Sequence, residues 1–349
     1  MRCQCLVNFG AALEGSERPT PGVTGSEVLL RVVAAGVCHS DLHLREGGYD
    51  LGHGKTYSFR GMPLPLVLGH ETVGVVEATG PDAGKLDPDR RYVVFPWQGC
   101  GTCAICATGA ENLCLKTRFL GVNADGGYAT HIKVPHPRYL FDIGDLAPEQ
   151  AAPLACSGLT AFGALKKVEG TLRRQRLMII GAGGLGLMCI GLVKALGGLA
   201  PIVVDIDPAK RAAAVAAGAI AAVDPKEPDA RKQVFKLGDG VPPAAVIDFV
   251  GAEATAGFAF DAVARGGTIV MVGLFGGAAP WQLPLIPLKV VTIMGSYMGG
   301  LPEFAELMQL ALAGAVQPLP ITTYPLDGAN TALDDLHAGR VVGRAVVMP

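Results

Sequence analysis

Cys100, Cys103, Cys106 and Cys114 crowd four thiols into the segment GCGTCAICATGAENLC. One tetrahedral zinc ion takes four sulfurs at about 2.3 Å, and a CxxCxxC turn can wrap the chain around it. The fourth thiol closes the loop after a short excursion. Four thiolates leave no open coordination position, so such a site is structural. A disulfide knot is the competing reading. The nine cysteines, an odd number, fit metal-bound thiols in a reducing compartment better. The opening stretch MRCQCLVNFGAAL has no basic run followed by an apolar core. A cytoplasmic location is therefore expected.

A second group is dispersed. Cys38 and His39 occur in Gly36-Val37-Cys38-His39-Ser40-Asp41, His70 in Gly69-His70-Glu71, and Cys156 in Leu154-Ala155-Cys156-Ser157-Gly158. Taken singly, each is bland, because a buried Cys is usually a small core residue.

A third motif is Gly181-Ala182-Gly183-Gly184-Leu185-Gly186, which fits GxGxxG. An apolar run precedes it, a helical pattern follows it, and Asp205 ends the next apolar run. Gly181, Gly183 and Gly186 permit a tight turn, close approach to a pyrophosphate and close helix–strand packing. The helix N-terminus offers free N–H groups to phosphates. An aspartate about twenty residues on bonds the adenosine ribose. Its charge repels a 2′-phosphate, which favours NAD over NADP.

These residues need a scaffold, and 349 residues allow two domains with real cores. Runs such as Val28-Leu29-Leu30-Arg31-Val32-Val33 and Thr72-Val73-Gly74-Val75-Val76-Glu77-Ala78 predict a β domain with long loops up to about residue 155. From about 157 the texture alternates. The expected elements are a strand at 176–180, a helix ending at 196, and a strand at 202–205. A helix at 209–217 and strands at 244–249 and 268–272 follow. This order predicts right-handed βαβ crossovers and a parallel, doubly wound sheet, an α/β Rossmann fold. A helix at 302–313 and a strand at 345–348 close the chain. The uncharged stretch 266–288 is broken by glycines and prolines and reads as a buried strand with a Pro-rich loop, not a bilayer span. A net charge of −2 argues against nucleic acid or anionic membrane as partners.

GVCHSD, GHE, the four-cysteine loop, the late cysteine and GAGGLG occur in the order found in zinc-dependent medium-chain alcohol dehydrogenases. Over essentially its whole length the chain resembles that family, and Gly339-Arg340-Val341-Val342-Gly343-Arg344 is similar to the family's closing motif. The resemblance implies a GroES-like, β-rich catalytic domain at 1–156 and 296–349, and an NAD-binding Rossmann domain at 157–295. It implies two zinc ions per chain, the catalytic one held by Cys38, His70 and Cys156 with a position open for substrate oxygen. Glu71 would stand behind the ligands, and Asp41 would orient His70. The proton would pass from alcohol through Ser40 and the nicotinamide ribose to His43 at the surface. His39 and Arg344 would meet the pyrophosphate. Thr160, Gly184, Leu185, Lys210, Gly273 and Leu274 join the cofactor-contacting set. A homodimer or homotetramer is expected, paired through a strand near 290–294.

The stretch from Cys38 to His70 is longer than in the best-known relatives. It carries Tyr49, His53, Tyr57, Phe59 and Arg60. It either rims the substrate cleft or packs on the surface. Phe95, Trp97, Phe119, Leu274 and Tyr297 are the other pocket candidates, and an aromatic lining would favour medium-sized or aryl apolar substrates. The rival activities are polyol or formaldehyde dehydrogenase, aldehyde reductase and alkene reductase. A non-enzymatic cofactor-binding protein of the same fold is the rival of another class.

Overall fold

Val28–Val37 is a ten-residue strand rich in β-branched residues, buried along most of its length. The computed structural model, which describes residues 1–349, makes it the centre of a seven-stranded sheet. Glu71–Thr79 pairs antiparallel along one side, from Val28 opposite Thr79 to Gly36 opposite Glu71. Arg344–Met348 pairs antiparallel with its other half, Ala345 facing Val37. His131–Val134 pairs with its first half, and Arg91–Val94, Leu140–Asp142 and Ile321–Pro325 complete the sheet. This register brings three strand ends together. Cys38 follows the end of the central strand, His70 precedes one neighbour, and Arg344 opens the other. Gly36 has to be glycine at this junction, because a Cβ would come within 1.9 Å of Glu71 Oε2.

The second sheet has six parallel strands. Their spatial order is Ala221–Val223, Ile202–Val204, Met178–Ile180, Ala245–Asp248, Thr268–Met271 and Thr292–Gly295. Its four central strands are buried almost completely, as expected for a parallel sheet covered by helices on both faces. The helices Gly184–Ala195, Pro208–Ala216 and Ala230–Leu237 form connections between strands, and Glu253–Ala262 links the fourth strand to the fifth. The helix Ser157–Lys166 is buried at every position from Ser157 to Leu165. It packs against Gly184–Ala195 and against Leu301–Leu312, so one apolar core runs through both sheets' surroundings. No helix is long and apolar enough to cross a membrane.

The expected strands and helices form, most with ends moved by one or two residues, while the run from Val28 continues four residues further, to Val37. Two segments differ more. The stretch read as a Pro-rich loop contains a short helix, Leu285–Lys289. Pro287 is tolerated there because the first four N–H groups of a helix have no partner inside it. Val290 leaves that helix in a left-handed conformation, φ 52°, which delays the last strand to Thr292. The long stretch after Cys38 is a β-hairpin, Gly48–Gly52 paired with Lys55–Ser58.

Candidate functional site

Sulfur, nitrogen and carboxylate atoms of Cys38, Cys156, His70 and Glu71 lie within 4.8 Å of one another, all buried. Cys38 and Cys156 approach to 3.9 Å between sulfurs. Cys38 stands at the N-cap of helix His39–Glu46, and Cys156 immediately precedes Ser157–Lys166. A chain separation of 118 residues is thus closed by the packing of that buried helix against the sheet. One hydrogen bond can join the two sulfurs. The hydrogen bond from Cys156, together with His70, holds Cys38 well below the ordinary thiol range, and the same bond with burial holds Cys156 well above it. Both ring nitrogens of His70 lack a well-formed hydrogen bond inside the protein. A fully buried, unpartnered imidazole facing two thiols costs stability unless something completes it. Zinc fits that donor set, with two thiolates and one imidazole as protein ligands and the Glu71 carboxylate within reach behind them.

Asp41 is completely buried and holds this corner. Its Oδ2 accepts from Cys38 N at 3.0 Å and from the Tyr128 hydroxyl at 2.8 Å, and its Oδ1 accepts from Gly69 N at 3.3 Å. The same Oδ1 lies 3.4 Å from His70 Nδ1. Burial opposes a charge on His70, but Asp41 and the Cys38 sulfur outweigh it and raise its pKa well above the ordinary value. Tyr128 was not singled out from the sequence. It lies 87 residues from Asp41 and carries no motif of its own.

Glu71 is ion-paired with Arg344 deep in the protein. Burial raises the carboxyl pKa and Arg344 opposes it. Removing one member of a buried pair leaves an uncompensated charge and costs about 3–5 kcal/mol. The Arg344 side chain also lies against the dinucleotide loop, since a Cβ on Gly184 would fall 2.5 Å from its Cδ. Arg344 therefore links the metal-ligand cluster to the glycine turn. His39 is exposed at the start of its helix. Partial desolvation, with Arg344 and Lys210 among the nearby cations, lowers its pKa.

The glycine turn follows Met178–Ile180 directly, and Gly183 is the N-cap of a helix whose first turn no side chain caps. Gly186 must be glycine, because a Cβ would meet Gly181 O at 1.9 Å. Asp205 follows the neighbouring strand, its Oδ2 accepting from Ala182 N at 2.7 Å and its Oδ1 from Asp207 N at 2.8 Å. The carboxylate thus braces the turn from the side. Thr160 is buried in its helix, and Leu185, Lys210 and Gly273 are half-exposed near the ends of the sheet.

In the four-cysteine loop, Cys100 and Cys106 are 3.9 Å apart, Cys103 and Cys106 3.5 Å, and Cys103 and Cys114 3.8 Å. Four sulfurs at zinc–sulfur distance from one ion stand about 3.8 Å from each other. Main-chain N–H groups of Cys100 and Lys116 donate to Cys114 Sγ, and that of Cys106 to Cys103 Sγ. Such donors stabilise thiolates. Hydrogen bonds from Thr102 bring the Cys100 thiol down to about 6, while burial pushes Cys106 up to about 12. This loop grips the rest of the molecule through Glu111, which accepts from Tyr139 at 2.6 Å, from Gly99 N at 2.9 Å and pairs with Arg138 at 3.0 Å. It also reaches the segment that returns from the parallel sheet. Asn112 Nδ2 donates to Tyr297 O at 2.8 Å, and Leu301 N donates to Gly109 O at 3.1 Å.

The pocket candidates divide. Phe95 is completely buried, stacked on Tyr139 and against Phe304, and is a core residue rather than pocket lining. Trp97 stands 5.2 Å from the His70 ring and edge-on to Phe119, so both lie beside the metal-ligand cluster. Leu274 and Tyr297 are solvent-exposed. Ser40 Oγ lies 3.8 Å from Cys38 Sγ. His43 was expected at the surface, yet it is half-buried, because the hairpin lays Tyr49 over its ring at 5.0 Å. Burial lowers its pKa below the ordinary histidine value, against an opposing pull from Glu46.

A mixed sheet carrying a cysteine–histidine cluster, joined to a parallel sheet carrying a glycine turn, defines a two-domain oxidoreductase of the metal- and dinucleotide-dependent kind. Residues 24–145 match the alcohol dehydrogenase GroES-like domain, and residues 184–313 match the zinc-binding dehydrogenase domain. The chain is 38% identical to a NAD-dependent alcohol dehydrogenase of Sulfurisphaera tokodaii and 37% identical to one of Saccharolobus solfataricus, each over 349 residues and the whole of both chains. The crystal structure of the alcohol dehydrogenase from Aeropyrum pernix superposes with a TM-score of 0.89 at 31% identity, covering all of both chains. The chain belongs to the zinc-type medium-chain alcohol dehydrogenase family.

Proposed function

We propose that this protein transfers hydride reversibly between a primary or secondary alcohol of aryl or medium-sized apolar character and NAD, giving an aldehyde or ketone. The observation that carries the reading is the buried Cys38–His70–Cys156 cluster, joined through Glu71 and Arg344 to the glycine turn. When bound there, zinc supplies Lewis acidity at an alcohol oxygen and NAD accepts the hydride. The protein's own groups do the rest. Asp41 fixes the orientation of His70 and of the Cys38 main chain. The Ser40 hydroxyl takes the alcohol proton, and His43 delivers it to solvent. Asp205 receives the adenosine ribose hydroxyls and disfavours a 2′-phosphate. Cys100, Cys103, Cys106 and Cys114 hold a second, structural zinc.

Association into a homodimer or homotetramer forms part of this reading. Thr292–Gly295 is the edge strand of the parallel sheet, and Leu283, Leu288 and Val290 are exposed near it. Sedimentation of a 36 kDa particle at micromolar concentration would contradict it.

The test is elemental analysis of fresh protein beside a panel of primary, secondary and aryl alcohols with NAD and NADP. About two zinc ions per chain and a preference for NAD are expected, and Asp205→Ser should relax that preference. A parent that prefers NADP, or that oxidises no alcohol, sinks the reading.

A further inference from the structure

The hairpin Gly48–Gly52/Lys55–Ser58 is not needed by either sheet, yet it is tied to both domains. Its first strand leaves helix His39–Glu46 through Gly47, in the left-handed conformation at φ 91°. Gly47 O accepts from Phe59 N at 2.9 Å and closes the hairpin's base. Its far side meets the parallel-sheet domain. Gly277 N donates to Asp50 O at 3.1 Å, and a Cβ on Gly52 would come within 2.7 Å of Ala278 N. The hairpin therefore bridges the two domains.

Its inner chemistry is aromatic. Tyr49 and Tyr57 face each other across the two strands at 6.3 Å, and Phe59 meets Tyr49 edge-on at 5.0 Å and Tyr57 at 5.9 Å. The cluster continues inward to His43. That histidine lies on the helix His39–Glu46 that Cys38 caps, so Tyr49 covers the helix next to the metal-ligand cluster. Tyr297 lies on the segment that returns from the parallel sheet, its main-chain O held by Asn112. Yet Tyr57 remains 57% exposed and Tyr297 50%. The exposed faces of the hairpin rings carry no further ring stacked on them. A flat apolar group suits those faces, because ring stacking and edge contacts reward an aryl face beyond its area.

We propose that the 48–58 hairpin is the specificity element of this enzyme, and that Tyr49 and Tyr57 grip the aryl group of an aryl-substituted alcohol or carbonyl substrate. The inference rests on the alcohol dehydrogenase reading above and names its substrate class.

The experiment compares benzyl alcohol with cyclohexylmethanol, which has the same carbon skeleton without the flat ring. kcat/KM with NAD and equilibrium Kd by calorimetry are measured for the zinc-loaded parent, Tyr49→Leu, Tyr57→Leu and Tyr49→Phe. The preference for benzyl alcohol should fall about fivefold to tenfold in both leucine variants, mainly through KM and Kd, and persist in Tyr49→Phe. Gly52→Ala, which pushes the hairpin tip from Ala278, should weaken the same preference with zinc content unchanged. Tyr57 is exposed on the hairpin, so its variant tests recognition without a risk to folding. An unchanged benzyl-to-cyclohexyl ratio in Tyr57→Leu, by kinetics or by Kd, overturns the hairpin's role. Absence of turnover in the parent overturns the alcohol dehydrogenase reading instead, while the Kd ratio still decides the hairpin.

Discussion

The two cysteine-bearing clusters are built in opposite ways. The four-cysteine loop collects its thiols from one short segment at the rim, partly exposed. The Cys38–His70–Cys156 cluster collects its donors from three distant segments and buries them completely. A local site needs only a turn to form. A dispersed site exists only when the sheet register and the helix Ser157–Lys166 are both in place. The first can therefore stabilise the fold, whereas the second depends on a fold already made and holds its groups ready for chemistry.

Breaking the buried cluster should have the largest effect. His70→Ala should lower alcohol oxidation more than about 100-fold at every pH, the upper range for removing merely a group behind a ligand. Zinc should fall from about two per chain to about one. Cys100→Ser probes the other side of the comparison. Zinc should again fall to about one, but the main loss should be stability. In a chain of this length each kcal/mol of deficit lowers Tm by only about 1.4 °C, so a fall of a few degrees is expected. Calorimetry that finds Tm unchanged would end the distinction between the sites.

His43→Gln should slow alcohol oxidation about tenfold at neutral pH and leave zinc content alone. Burial lowers the pKa of His43, so the ring is neutral and able to accept a proton at pH 7, and its contribution disappears as pH falls through that lowered value. At alkaline pH hydroxide substitutes and the mutant should approach the parent. A pH–rate profile identical to the parent's, with hydride transfer shown to be rate-limiting by a deuterium isotope effect, removes the relay. Tyr128→Phe should have the smallest effect, a few-fold loss of catalytic zinc affinity and about 1–2 kcal/mol of stability, because Asp41 keeps its main-chain donors. Competitive chelation reads it directly.

Local motifs were readable from the chain, and contacts across it were not. The four cysteines and the glycine turn announce themselves because their geometry is written in adjacent residues. The order of strands and helices in the parallel sheet was legible for a similar reason, since buried parallel strands are continuous apolar runs. Phe95 was misjudged because residue type does not say which face a ring occupies. The hairpin escaped because its strands are largely exposed and lack an apolar alternation. The pairing of Glu71 with Arg344 spans 273 residues and depends on the strand beside Val37, which no local pattern encodes.

The contacts from the four-cysteine loop to Tyr297 and Leu301 carry a consequence beyond stability. Asn112 holds the main chain of Tyr297, and Gly109 that of Leu301, so the loop clamps the strip of chain between the parallel sheet and the helix Leu301–Leu312. Oxidation of its accessible thiols would slacken that clamp without touching Cys38 or Cys156. Damage there would travel along the chain into the joint between the domains while the buried donors kept their places.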